Sequence, residues 1–300
     1  MNEASPKAKR EFIFKIAQKP LPQDLTSYDF LKTLAIVLMI VDHIGYYFFP
    51  DTDADPENNI FRMFGRMCVP IWFFLIGYAK SRDLGPMIIA GALILVATDL
   101  LIGRAVLPVN VLVSIIVVRL ILDFTMGVAQ KGLFSLIAVC ALLTVFMLPL
   151  SFFWEYGTLG IVLAMLGYMV RHQDDDTEKK AQSFRFLMFC IPVFIIYQQL
   201  FFSFTNAQFT IMILGSTAVF FLVYNFKSMT YPALTKRMPA PACAFFRICG
   251  RHTLEIYVIH LLVFKFLALS IGMDGYDLFQ PNFLGEQGDA IKSWFQGTGE

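Results

Sequence analysis

Charge is scarce in this chain. Of its 300 residues, 16% are Asp, Glu, Lys or Arg, while 57% are apolar and 32 are Phe. A soluble domain carries about a quarter charged residues. So little polar surface cannot cover a water-facing globule, which excludes a disordered chain, a secreted disulfide scaffold and a free nucleic-acid binder. Cysteine is sparse too. Cys68, Cys140, Cys190, Cys243 and Cys249 form no C-x-x-C pair and read as small buried hydrophobes, with no structural disulfide and no metal site expected. There is no G-x-x-x-x-G-K-[ST], no H-E-x-x-H and no G-x-S-x-G. A P-loop ATPase, a standard zinc protease and a serine-elbow hydrolase therefore lack their signatures. No internal repeat supports an inverted-repeat transporter. The net charge of +1 points to no partner.

Continuous apolar sequence is what the chain has in abundance. A membrane helix needs about 20 such residues, and nine stretches qualify as candidates: 29–49, 63–80, 86–103, 107–124, 132–150, 153–170, 184–204, 207–225 and 247–269. None alternates at period two, which disfavours a barrel. The expected fold is an all-α, polytopic integral membrane helix bundle of about nine transmembrane helices. Lys and Arg concentrate in the N-terminal arm (Lys7, Lys9, Arg10, Lys15, Lys19) and in alternate loops (Lys80 and Arg82; Lys131; Arg171, Lys179, Lys180 and Arg185; Lys227, Lys236, Arg237 and Arg247). The positive-inside rule then sets the N-terminus in the cytoplasm and the C-terminus outside. The predicted organisation is a cytoplasmic arm (1–27), a transmembrane domain (28–270) and a tail (271–300) against the outer face. Residues 10–18 have the pattern of an amphipathic segment on the inner surface.

Ionisable residues inside the spans are costly and mark functional candidates. Lys32 and His43 lie eleven steps apart in the first span. That is nearly three whole turns, so they share a helix face at about 16 Å separation. Asp42 points about 100° away from His43. Arg66 and Asp99 fall at similar depth, so Asp42, His43, Arg66 and Asp99 form an expected outer layer. Arg62 shares a face with Arg66. The bland alternative is an ion pair with Asp42 or Asp99 that holds helices together. Nearer the cytoplasm, Lys32, Arg119 with Asp123, and Arg251 with Glu255 form a second layer. It reads either as i, i+4 salt bridges or as a basic pocket for an anionic cofactor such as a nucleotide phosphate. Tyr257 and His260 are three apart and can face one cavity; Glu155 is a weaker candidate at the outer face.

The segments YDFLKTLAIVLMIVDHIG and FRMFGRMCVPIWFFLIGYAKSR resemble the start of the TraX family, and GRHTLEIYVIH resembles the C-terminal element of the related acyltransferase 3 group. In that group a basic residue, ten residues and a histidine mark the first span; Lys32 and His43 match, with Lys where Arg is usual. Ten spans are usual there, against nine here. The TraX family is named for a conjugative-pilus protein implicated in pilin acetylation. The resemblance implies acyl transfer from cytoplasmic acetyl-CoA to an amine or hydroxyl at the membrane or its outer side, in a bacterial inner membrane. The acceptor is a protein N-terminus, a glycan or a lipid-linked sugar. On this reading His43 is the general base, Asp42 or Asp99 tunes it, Arg66 stabilises the oxyanion, and Lys32, Arg119 and Arg251 hold the donor. A transporter or a non-catalytic scaffold with the same buried polar layers remains the competing expectation.

Overall fold

The computed structural model describes residues 22–49, 59–173 and 176–273, together with 275, 276, 278–280 and 283. Residues 10–18 and most of the tail lie outside them. Among the described residues the secondary structure is helical, with two isolated bridges, Thr26 to Thr230 and Val109 to Trp154. In chain order the helices are α1 (Ser27–Phe48), α2 (Asn59–Arg66), α3 (Cys68–Tyr78), α4 (Pro86–Leu101), α5 (Val111–Ala129) and α6 (Leu133–Ser151). There follow α7 (Leu159–His172), α8 (Thr177–Phe202), α9 (Asn206–Tyr224), α10 (Pro232–Arg237), α11 (Ala240–Arg251) and α12 (Thr253–Ser270).

Among the described residues, seven helices are long and apolar enough to cross a membrane, counting α2 and α3 as one; α4 and α7 are shorter. This is a membrane protein. With 16 and 14 residues, α4 and α7 reach about 24 and 21 Å, against roughly 30 Å of hydrocarbon. α7 is shielded from that mismatch because every residue from Leu159 to Gly167 is buried. It packs chiefly on α3, and two glycines set the approach. A Cβ at Gly167 would lie 2.0 Å from the Phe74 carbonyl oxygen, and one at Gly77 would lie 1.8 Å from that of Ala164. Such close backbone contact is how apolar helices associate when lipid is as oily as they are. α6 does the opposite: Phe134, Leu142 and Val145 are all exposed, an apolar face suited to acyl chains.

Two predicted spans are interrupted. The span at 63–80 begins earlier, at Asn59, and breaks at Met67. Pro70 supplies no backbone N–H for the Arg66 carbonyl, so the helical ladder fails there. The span at 247–269 is broken at His252, whose ψ of 39° leaves the helical region. The predicted span at 153–170 starts at Leu159, because Tyr156 and Gly157 both take positive φ. The first tail residues pack at the Arg104 end: Phe279 N–H donates to Leu101 and Leu107 N–H donates to Phe283.

Candidate functional site

α1 carries the first elements of the site. Its start is fixed by a capping box between Thr26 and Asp29, which satisfies two otherwise orphaned N–H groups. Lys32 and Met39 then line a cavity of about 410 Å³ with Trp72, Arg119 and Tyr257. The wall is mostly apolar, with Lys32 and Arg119 its two cations. His43 is not part of that wall. Its ring lies 5.9 Å from that of Tyr257. Lys32 thus borders the cavity directly, while His43 adjoins a residue of its wall. His43 Nδ1 lies 2.7 Å from His260 Nε2, which joins α1 to α12.

The expected outer layer is realised in part. Asp42 takes Arg62 Nη1 at 3.0 Å and Arg66 Nε at 3.2 Å, all three side chains being buried. Gly65 makes this possible: a Cβ there would lie 2.3 Å from Asp42 Cα, so any larger residue would force α2 off α1. Arg66 also donates to the Tyr156 hydroxyl and lies over the Phe202 ring at 4.8 Å. Tyr156 holds a φ of 68°, a strained conformation for a bulky residue. Asp99 does not join this cluster. Its carboxylate takes Lys265 Nζ at 2.8 Å, and the same ammonium donates to the Leu95 carbonyl and Thr98 Oγ1. A lysine buried in an apolar helix must be neutralised locally, and Asp99 on the adjoining α4 does so.

In the inner layer the two expected i, i+4 salt bridges do not form. Arg119 donates to the Asp83 carbonyl at 2.8 Å, while Asp123 lies 3.4 Å from Arg82. Arg251 turns to Asp29 at 3.2 Å, and Glu255 meets His252 at 3.8 Å. The break at His252 takes Arg251 and Glu255 off a common helix. Among the described residues, Lys32 has no hydrogen-bond or ion-pair partner. It also borders a second cavity of about 670 Å³, walled by Thr26, Tyr28, Asp29, Ser228 and Arg251 among others. Tyr28 and Lys32 are common to both cavities.

The sequence model of the TraX protein family matches residues 27–268, from the first turn of α1 to the last of α12. The chain belongs to the TraX family. A relative described as an uncharacterized protein of Rickettsia prowazekii (strain Madrid E) is 29% identical over 159 residues, which is 51% of this chain and 60% of the relative. The chain thus spans about three fifths of that relative's length. No solved structure matches it.

In this TraX-family chain three partners escaped the sequence reading. Lys265 is a lone charge in an apolar run, five residues beyond His260, and that isolation was the available signal. Tyr156 acts through a backbone conformation that composition does not reveal. Asp29 meets Arg251 across 222 residues of sequence, a pairing that no local pattern encodes. Among the described residues, no three His, Cys, Asp or Glu side chains are grouped to hold a metal ion.

Proposed function

We propose that the protein is a membrane-embedded acyltransferase that moves an acetyl group from acetyl-CoA to an amine or hydroxyl acceptor. The observation that carries this reading is the cavity between α1, α3, α4, α5 and α12. It has Lys32 and Arg119 as its cations and Tyr257, beside the His43–His260 pair, in its wall. Lys32 as a point charge and Arg119 as a planar guanidinium suit the donor's phosphates, and Lys32 also borders the adjoining polar cavity, where Arg251 is paired with Asp29. The apolar wall suits the uncharged arm that ends in the thioester.

In the transfer, His43 takes the proton from the acceptor nitrogen or oxygen, which attacks the thioester carbonyl carbon. The carbon–sulfur bond breaks, the CoA thiolate leaves, and the histidine returns the proton to it. Arg66, held by Asp42 and Tyr156, is the residue assigned to balance charge that develops on the carbonyl oxygen. Asp99 tunes nothing directly here, because Lys265 occupies it. The resemblance to the acyltransferase 3 group, on Lys32 and His43 and on the Tyr257-to-His260 element, supports the same chemistry, and a bacterial inner membrane is the setting proposed for it. A protein N-terminus, a glycan and a lipid-linked sugar all present the required nucleophile.

The test is calorimetric titration of acetyl-CoA into the detergent-purified protein, beside Lys32→Ala and Arg119→Ala. Saturable binding weakened several-fold in both variants supports the proposal. A folded, monodisperse protein that binds no acetyl-CoA overturns it in favour of a transporter, to be assayed by flux.

A further inference from the structure

His43 and His260 form a directly bonded pair whose proton order can be derived. His260 Nδ1 lies 2.7 Å from the carbonyl oxygen of Ile256, one turn earlier in α12. A carbonyl oxygen only accepts, so the hydrogen is on His260 Nδ1. In a neutral imidazole the other nitrogen is then bare, and His260 Nε2 is an acceptor. It lies 2.7 Å from His43 Nδ1, so His43 Nδ1 must be the donor. The proton of His43 is thereby committed to Nδ1, and its Nε2 is left with an open lone pair. No described residue donates to or accepts from that nitrogen.

We infer that His260 is a positioning residue that holds His43 in the Nδ1–H form, so that Nε2 is the proton-accepting atom of the site. This rests on the acyl-transfer reading only for what Nε2 accepts; the proton order stands on the two hydrogen bonds. A hydrogen bond from the second ring nitrogen commonly selects the tautomer of a working histidine. In the usual arrangement a carboxylate does this, but here the only carboxylate at this depth on α1, Asp42, is taken by Arg62 and Arg66. A neutral imidazole anchored to a backbone carbonyl replaces it. The surroundings hold the pair in register: the Tyr257 ring lies 5.9 Å from His43 and 5.8 Å from His260, and the Phe264 ring lies 5.5 Å from His260. When Nε2 gains a proton, the hydrogen bond from Nδ1 to His260 strengthens, since the donor is now charged.

The experiment is nitrogen NMR of the full chain in detergent micelles, labelled with ¹⁵N-histidine, with His43 assigned by the loss of its signals in His43→Gln. In the wild type the expected pattern is a protonated Nδ1 and a bare Nε2 for His43. His260→Leu removes the acceptor, and the proton should move to Nε2, the form an unconstrained side chain favours. His260→Gln offers a carbonyl oxygen near the place of Nε2 and should restore the Nδ1–H pattern; it also guards against a misfolded Leu variant. A wild-type His43 protonated at Nε2, or a His260→Leu spectrum with the proton still on Nδ1, would overturn the inference. The tautomer is read without acetyl-CoA. A failed titration therefore refutes the donor reading alone, and a wrong tautomer refutes the positioning role alone.

Discussion

Asp42 holds two guanidinium groups on one carboxylate inside an apolar bundle, and its removal would leave both cations without their counter-charge. Breaking a buried pair in this way costs about 3–5 kcal/mol. Asp42→Asn is therefore expected to lower stability by that amount in a thermal unfolding assay in detergent. Asp123 supplies the contrast: its side chain is 63% exposed against Arg82, and Asp123→Asn should cost less than about 1 kcal/mol. The Lys265–Asp99 pair lends itself to a double-mutant cycle. Lys265→Met alone strands the Asp99 carboxylate, while Lys265→Met with Asp99→Leu removes both charges. The double variant should recover most of the loss, because replacing a whole buried pair with apolar residues is often neutral. At this scale the sequence was legible where charges stood alone in apolar runs. Lys32, Asp42, His43, Arg66 and His260 were found that way. The identity of each partner was not legible, because Asp99 had two candidate arginines by depth and took neither.

Among the helices, the tightest constraint lies between α3 and α7. Gly167→Ala would drive a methyl group into the Phe74 carbonyl, 2.0 Å from the added carbon, and neither backbone can yield within a buried layer. A loss of at least 1–3 kcal/mol is expected. Gly127, inside α5, has nothing within 4 Å of its added Cβ; Gly127→Ala should be neutral or stabilising by up to about 1 kcal/mol. Comparison of the two melting curves separates steric contact from helix propensity. The positions of the helices were readable from hydropathy, but the breaks were not. Pro70 was visible, yet its effect falls three residues earlier, at Met67. His252 offers no breaker at all, and there the chain turns beside Gly250, where an added Cβ would lie 2.5 Å from Asp29 Cα.

For the whole molecule, the alternation of basic loops makes a topological prediction. Glu178 lies in the first turn of α8 and Ala207 in the first turn of α9, just past the other end of α8; both are exposed. Cysteines introduced at these positions, in a chain whose native thiols, four buried and Cys140 half-buried, serve as the background, should differ towards a membrane-impermeant thiol reagent added to intact cells. Ala207→Cys should label, and Glu178→Cys should label only after lysis. The reverse pattern would invert the orientation. Membrane class, helical architecture and the residues worth suspecting were determined by the sequence alone, because lipid demands long apolar runs and makes every buried charge conspicuous. Only the tertiary structure decided which charges neutralise one another and which remain available. That choice depends on which helices touch and in what rotation: α12 against α4 gives Lys265 to Asp99, α2 against α1 gives both arginines to Asp42, and α12 against α1 leaves His43 bonded to His260 with one nitrogen open.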